Sequence, residues 1–91
     1  MRKGSRRDRF RIYGDLLSTL FYQSNGAENI VLTQIQVKIN VPFDRLKNYI
    51  AEIKDLDLIQ DETSLKLTEK GIKYLRTYEK FLVFIKQMGL A

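Results

Sequence analysis

The side chains best suited to chemistry in this 91-residue chain are basic and amide groups, because the sequence contains no histidine and no cysteine. These absences exclude disulfides, thiolate nucleophiles and imidazole acid–base chemistry, and they remove the ligands that most zinc sites use. Only five glycines occur, and none builds a phosphate-cradling loop of the P-loop or dinucleotide type. Carboxylates remain, but the usual side chain for proton transfer near neutral pH is missing. We therefore expect no enzyme activity, no metal or cofactor and no small-molecule ligand.

The positive charge of the chain is concentrated at its N-terminus. Residues 1–11 contain six basic residues and Asp8, so this segment accounts for the whole net charge of +5. Residues 12–91 are neutral as a group. A basic arm beside a neutral body suits a polyanionic partner, because bound phosphates release their counterions. A disordered solubilising tail has the same composition, so charge alone does not decide between the two.

Apolar periodicity identifies the elements that must position these groups. Apolar residues recur at helical spacing and predict helices over residues 8–22, 34–39, 43–56 and 69–87. Thr33 and Gln36 have the spacing of a capping box at the second helix, and Thr68 is a good N-cap for the last. Pro42 suits the first turn of the third helix, and Asp57 is expected to adopt the left-handed conformation at its end.

The segments between the helices predict a few short strands. Residues 30–32 are β-prone, and residues 58–60 and 65–67 flank a polar turn as a β-hairpin would. The order is helix, strand, helix, turn at Asn40-Val41, helix, hairpin and long helix, which is typical of a winged helix-turn-helix. We expect a mainly α fold with a small β-hairpin. It divides into a flexible basic arm (1–7), the winged helix-turn-helix domain (8–67) and a C-terminal dimerisation helix (68–91).

Three segments carry a resemblance to a known family: LKNYI at 46–50, DLDLI at 55–59, and LTEKG at 67–71 with Tyr74-Leu75. They resemble the small winged-helix chromatin proteins of Sulfolobus and, more broadly, the archaeal winged helix-turn-helix regulators. The resemblance implies sequence-tolerant or regulatory binding to double-stranded DNA. It also implies a homodimer whose final helices pair as an antiparallel coiled coil. Asp57 departs from the family, which often has glycine there.

The third helix supplies the candidate base contacts. A recognition helix enters the major groove and meets base edges with its N-terminal residues. Phe43, Arg45, Lys47 and Asn48 are left outside the apolar stripe near the start of this helix. Arg45 can pair bidentately with guanine and Asn48 with adenine, whereas Lys47 is better placed for phosphate. Ordinary solvated helix residues would show the same pattern.

Other candidates for DNA contact lie on the second helix and on the arm. Gln34 and Lys38 are one turn apart on the second helix, which usually crosses the DNA backbone in this motif. Arg6, Arg7 and Arg9 are expected to track phosphates or to reach the minor groove.

The wing is acidic at its tip, where Asp61 and Glu62 would meet phosphate with repulsion. We therefore expect this wing to contact DNA weakly, or only through Thr63, Ser64 and Lys66.

The last helix carries a predicted dimer interface. Leu75, Tyr78, Leu82 and Ile85 follow each other at spacings of three, four and three, as in an a/d seam, and Phe81 and Met88 broaden it. A compact monomer with the helix folded back is the alternative.

For function, the alternative to DNA binding is a winged helix used for protein–protein contact. Because neither a signal peptide nor a membrane span is evident, we expect a cytoplasmic, nucleoid-associated protein.

Overall fold

The computed structural model describes residues 8–23 and 32–90, and it places four helices in them. They are α1 (Arg9–Gln23), α2 (Leu32–Ile39), α3 (Phe43–Asp55) and α4 (Glu69–Gln87). The sequence prediction of these helices is confirmed, and the bounds of α1, α3 and α4 agree within one residue. Among the residues described, no helix has the length and apolarity that a membrane crossing requires.

The start of α2 differs from the prediction. Leu32 and Thr33 both lie inside the helix, so Leu32 is not part of a strand and Thr33 is not the N-cap of a capping box. Leu32 is partly buried and packs against the core, and this packing outweighs a weak intrinsic preference for strand. The rest of the predicted loop and β-prone run, up to Val31, lies outside the described residues.

A tight turn joins α2 to α3. Asn40 takes a φ of 58°, a left-handed conformation that asparagine tolerates better than most residues. Its backbone N–H donates to the Gln36 carbonyl at 2.8 Å. Pro42 is the N-cap of α3 and not its first helical residue, and its carbonyl accepts from the Leu46 N–H at 2.9 Å. These bonds set the direction in which α3 leaves α2.

The wing (residues 58–67) is more irregular than the predicted hairpin. Within the part of the chain that the structure describes, the hairpin reduces to a single antiparallel bridge between Ile59 and Leu67. Gln60 also donates its N–H to the Lys66 carbonyl at 2.8 Å. Leu65 has a φ of 57°, which breaks the extended conformation that a returning strand needs. Asp57, by contrast, has the left-handed φ predicted for it, at 65°.

The core lies beneath α1, α2 and α3 and is closed by the base of the wing. Its largest fully buried side chains are Leu16, Leu17, Leu20, Ile35, Leu46, Ile53 and Ile59. Every helix of the helix-turn-helix contributes at least one of them. The apolar faces read from the sequence are therefore the faces that pack.

The long helix α4 packs on α1 at one close contact. Gly14 of α1 meets the ring of Tyr78, and a Cβ atom at Gly14 would lie 2.4 Å from the ring's Cγ. The Tyr78 hydroxyl donates to Asp15 Oδ1 at 2.6 Å. The ring of Phe10 lies 5.6 Å from that of Tyr74 and 5.3 Å from that of Tyr78, centroid to centroid. Only glycine permits this approach of the two helices.

A second glycine contact joins α4 to the wing, and it yields a stability prediction. A Cβ atom at Gly71 would lie 2.1 Å from the carbonyl oxygen of Leu58. We expect Gly71→Ala to lower the free energy of unfolding by about 2 kcal/mol or more, since the backbone clash exceeds the roughly 1 kcal/mol that alanine gains in a helix. Urea denaturation followed by circular dichroism measures the change.

Gly89→Ala is the control for this substitution. Gly89 has a φ of +74° and no neighbouring atom within 4 Å of an added Cβ, so backbone strain of about 1 kcal/mol is the whole expected cost. A Gly71→Ala variant as stable as the unmodified chain would contradict the contact.

Candidate nucleic-acid interface

The N-terminal half of α3 forms an exposed polar surface. Leu46, Tyr49, Ile50 and Ile53 are buried, and this fixes the orientation of the helix about its own axis. The side chains predicted as base and phosphate contacts are exposed on its first two turns: Phe43, Arg45, Lys47 and Asn48. The Lys47 ammonium lies 5.9 Å from the centre of the Phe43 ring. All four predicted α3 residues are therefore exposed, and the structure places Lys47 beside Phe43.

The charge of α3 itself is balanced. Three acidic residues, Asp44, Glu52 and Asp55, accompany three basic ones, Arg45, Lys47 and Lys54. Asp44 in the first turn and Lys54 in the last complement the helix dipole. A polyanion would therefore meet little net attraction from α3 alone.

Across residues 8–23 and 32–90, no group of three or more acidic side chains is arranged so that it could hold a metal ion.

The helix α2 presents its predicted residues beside an unexpected apolar one. Gln34 and Lys38 are exposed, while Ile35 and Ile39 are buried. Val37 lies on the exposed side with 76% of its surface accessible. It was missed from the sequence, although its position outside the buried Ile35–Ile39 row was a usable signal. Val37 therefore adds an isopropyl group to the exposed side of α2.

Arg9 is held on the body of the protein. It is the first residue of α1, and its Nη1 lies 2.9 Å from Glu52 Oε1 on α3. The guanidinium carbon lies 5.5 Å from the centre of the Tyr49 ring. The Tyr13 hydroxyl donates to the same Glu52 oxygen at 2.5 Å. Glu52 was not singled out from the sequence, because an acidic residue on the polar side of a helix carries no local signal.

Tyr13 remains a hydrogen-bond donor over a wide pH range. Burial of the hydroxyl, and then its hydrogen bond to Glu52, raises the pKa of Tyr13 to about 12. The phenol therefore stays protonated at neutral pH and keeps donating to the Glu52 carboxylate.

Arg11 is also engaged with the body. Its guanidinium carbon lies 5.6 Å from the centre of the Phe81 ring, and its backbone N–H donates to Asp8 Oδ1 at 2.9 Å. Arg6 and Arg7 lie outside the described residues. Two of the six basic residues near the N-terminus are thus placed against α3 and α4.

The wing tip uses one of its acidic groups to hold its own turn. Asp61 accepts from the N–H groups of Thr63 at 2.8 Å and Ser64 at 2.6 Å. These bonds favour the ionised form and lower the pKa of Asp61. Glu62 and Lys66 are exposed. No contact in the structure tests the prediction that this wing touches DNA weakly, so it stays a prediction.

The predicted dimer seam is largely used within the chain. Leu75 and Tyr78 are 3% exposed and Ile85 is 7% exposed, so these three residues cannot offer the free surface expected of them. Phe81 is partly covered by Phe10, with ring centroids 5.3 Å apart. Gly14 and Phe10 of α1 pack against Tyr78 and Phe81, a contact that the heptad spacing does not reveal.

Leu82 and Met88 of that predicted seam are exposed, and other apolar side chains accompany them. We call this surface the C-terminal apolar patch; it consists of Leu82, Val83, Phe84, Met88 and Leu90, which are 37% to 72% exposed. These exposed apolar side chains therefore lie in the last two turns of α4 and just after it.

A family model described as "Winged helix-turn-helix" matches residues 6–86, which include α1, α2, α3, the wing and all of α4 except its last residue. No curated protein matches, and no solved structure matches.

The Asp61 turn yields a titration prediction. We expect its carboxyl to titrate below the ordinary value of 3.8, because two backbone amides bind the ionised form. Because the pKa is lowered, the ionised carboxylate holds the turn at any pH above the ordinary value. The turn loosens as the pH falls through the lowered pKa and the carboxylate is protonated. Carbon-detected NMR gives the midpoint, and the Thr63 and Ser64 amide signals should move with it. A midpoint at or above 3.8 would contradict the hydrogen bonding of this turn.

Proposed function

Because the chain belongs to the winged helix-turn-helix family, we propose that it binds double-stranded DNA, without catalysis, through the N-terminal half of α3. The observation that carries the proposal is the exposed surface formed by Phe43, Arg45, Lys47 and Asn48 on the second helix of the helix-turn-helix. In this motif that helix lies in the major groove with its first residues toward the bases.

Base recognition falls to two of these side chains. The Arg45 guanidinium suits the O6 and N7 atoms of guanine, and the Asn48 amide suits the N6 and N7 atoms of adenine. Both project from a helix whose opposite face is buried, so they are held in a defined direction. Phe43 and Val37 supply apolar surface for thymine methyl groups.

Phosphate contacts surround this surface. Lys47 of this surface is exposed, as are Gln34 and Lys38 of α2, and Lys66 adds a weaker contact from the wing. The excess charge of the chain is in residues 1–11, so Arg6 and Arg7 of the arm supply the attraction that the neutral α3 lacks. Affinity should therefore depend steeply on salt.

We further propose that the protein acts as a homodimer through the C-terminal apolar patch. Five large apolar side chains between residues 82 and 90 are exposed, and soluble monomers rarely leave much apolar surface uncovered in one region. A two-fold dimer presents two copies of α3 to one duplex. Such a dimer fits a transcriptional regulator or a small chromatin protein, as in the archaeal family that the sequence resembles. Both roles place it in the cytoplasm with the nucleoid.

One observation favours a second function. The charge balance of α3 and the acidic wing tip also suit a winged helix that binds another protein. Salt-dependent binding to DNA separates the two possibilities, because a protein-binding module has no reason to release counterions from a duplex.

The DNA proposal predicts a specific effect at Lys47. In fluorescence anisotropy with a labelled duplex, log affinity should fall linearly with log salt concentration. Lys47→Ala should reduce the magnitude of that slope by about one, the loss of one phosphate contact. Lys73→Ala on α4, an equal loss of exposed charge, is the control and should leave the slope unchanged. Absence of binding at low salt would refute DNA binding.

The dimer proposal predicts that charge in the C-terminal apolar patch separates the subunits. Phe84→Lys should give a monomer by light scattering, since it places an ammonium in the apolar interface. Thr77→Lys introduces the same group seven residues earlier on the same face of α4, outside the patch, and should remain dimeric. An unmodified chain that is already monomeric would refute the interface.

A further inference from the structure

A cavity of about 280 Å³ lies between the start of α1, the base of the wing and the first half of α4. Six residues line it: Phe10, Leu58, Lys70, Lys73, Tyr74 and Thr77. Because they come from three separate elements, no sequence motif indicates the site, and the sequence predicted no small-molecule ligand. None of the six belongs to α2 or α3, so the cavity is separate from the surface proposed to bind DNA.

We propose that this cavity binds a small aromatic carboxylate, with the ring of the ligand against Phe10, Leu58 and Tyr74 and its carboxylate on the ammonium group of Lys70. This site goes beyond the proposed DNA binding and does not depend on it. Ligand pockets usually begin at about 300 Å³, so a cavity of this size suits a ligand with a single ring.

The aromatic wall of the cavity is held in place. The rings of Phe10 and Tyr74 lie 5.6 Å apart, centroid to centroid, and are tilted by 43°. The Tyr74 hydroxyl donates to the Phe10 carbonyl at 2.9 Å. Burial, and then the charge of Asp8, raises the pKa of Tyr74 to about 12, so the phenol keeps this bond at neutral pH. A ligand ring therefore meets a fixed aromatic surface on which it can pack.

The wing side of the cavity is equally well fixed. Leu58 is only 2% exposed, and its backbone N–H donates to the Ile53 carbonyl at 2.8 Å. Its own carbonyl accepts from the Thr68 N–H at 3.1 Å. Because these walls are formed without a ligand, little ordering is needed on binding.

Lys70 offers a positioned positive charge. Its Nζ donates to the Leu56 carbonyl at 2.7 Å, two residues before Leu58 in the wall. An ammonium group has three donors, and this bond uses one of them. The bond to Leu56 would by itself explain a lysine in the first turn of α4, where a positive charge opposes the helix dipole. The aromatic wall in the same cavity adds the second role, that of ligand contact.

The charges around the cavity favour an anion in one orientation. Two of its six lining residues are lysines and none of the six is acidic. The Asp8 carboxylate acts on the Tyr74 hydroxyl and disfavours negative charge at the α1 end of the cavity. The carboxylate of the ligand is therefore directed to Lys70 on α4, with its ring toward α1.

The test titrates the full, unmodified chain with benzoate at neutral pH and follows NMR signals. A ligand of about nine non-hydrogen atoms should bind with a dissociation constant on the order of 1 mM. The methyl signals of Leu58 and the ring signals of Phe10 and Tyr74 should move together. Acetate has the charge without the ring and benzamide the ring without the charge. Each should bind at least about fivefold more weakly than benzoate.

A pair of variants tests the role of Lys70. Lys70→Met keeps the aliphatic stem but removes the ammonium group, and it should weaken benzoate binding by roughly five- to tenfold. Lys80→Met removes an exposed lysine of the same helix that does not line the cavity, and it should leave benzoate binding unchanged. Thermal denaturation checks that both variants are folded. If Lys70→Met does not fold, the comparison of benzoate, acetate and benzamide on the unmodified chain decides.

Several results would overturn the site. Benzoate shifts confined to the C-terminal apolar patch would show adsorption on exposed apolar surface. Equal binding of acetate would show unspecific attraction to lysines, and equal binding of benzamide would show that the charge of Lys70 plays no part. An equal loss in Lys80→Met would likewise refute the contact with Lys70. DNA binding is tested separately, since a chain that does not bind a duplex should still bind benzoate.

Discussion

Burial of one face of α3 is the constraint on which the rest of the structure depends. Leu46, Tyr49, Ile50 and Ile53 turn into the core, and this choice leaves the opposite face of the helix to solvent. The orientation of α3 about its own axis therefore determines both which of its residues pack in the core and which are exposed to a partner. Shifting α3 by a single residue would rotate it by about 100° and would carry the exposed amide and guanidinium groups away from the surface they share.

Local signals predict the helices well because their causes are local. Apolar residues at helical spacing identify α1, α3 and α4 within a residue of their ends, and Thr68 caps α4 as predicted, accepting from the Gly71 N–H at 3.0 Å. The left-handed residue after α3 was also predictable, because aspartate tolerates that conformation. The positions of Arg45 and Asn48 on the exposed face of α3 followed from the same periodicity. Their contact with DNA remains a prediction.

Features that depend on long-range packing were not predictable. The heptad spacing of Leu75, Tyr78 and Ile85 resembles a dimer seam, but all three are buried within the chain, and the Tyr78 ring packs on Gly14 of α1. The wing has less regular pairing than its two apolar triplets suggest, since Leu65 adopts a positive φ. The partnership of Arg9 with Glu52 spans 43 positions in the sequence, and no spacing rule connects residues so far apart.

The central claim is that the N-terminal half of α3 binds DNA, with the charge of the basic arm adding to the attraction for phosphate. Amide NMR spectra recorded during titration with a DNA duplex test this most directly. The account predicts the largest shifts at residues 43–48 and at the N-terminal arm, with smaller changes along α2 and little change at the C-terminal apolar patch. Shifts confined to the patch or to the wing, with residues 43–48 unmoved, would contradict it.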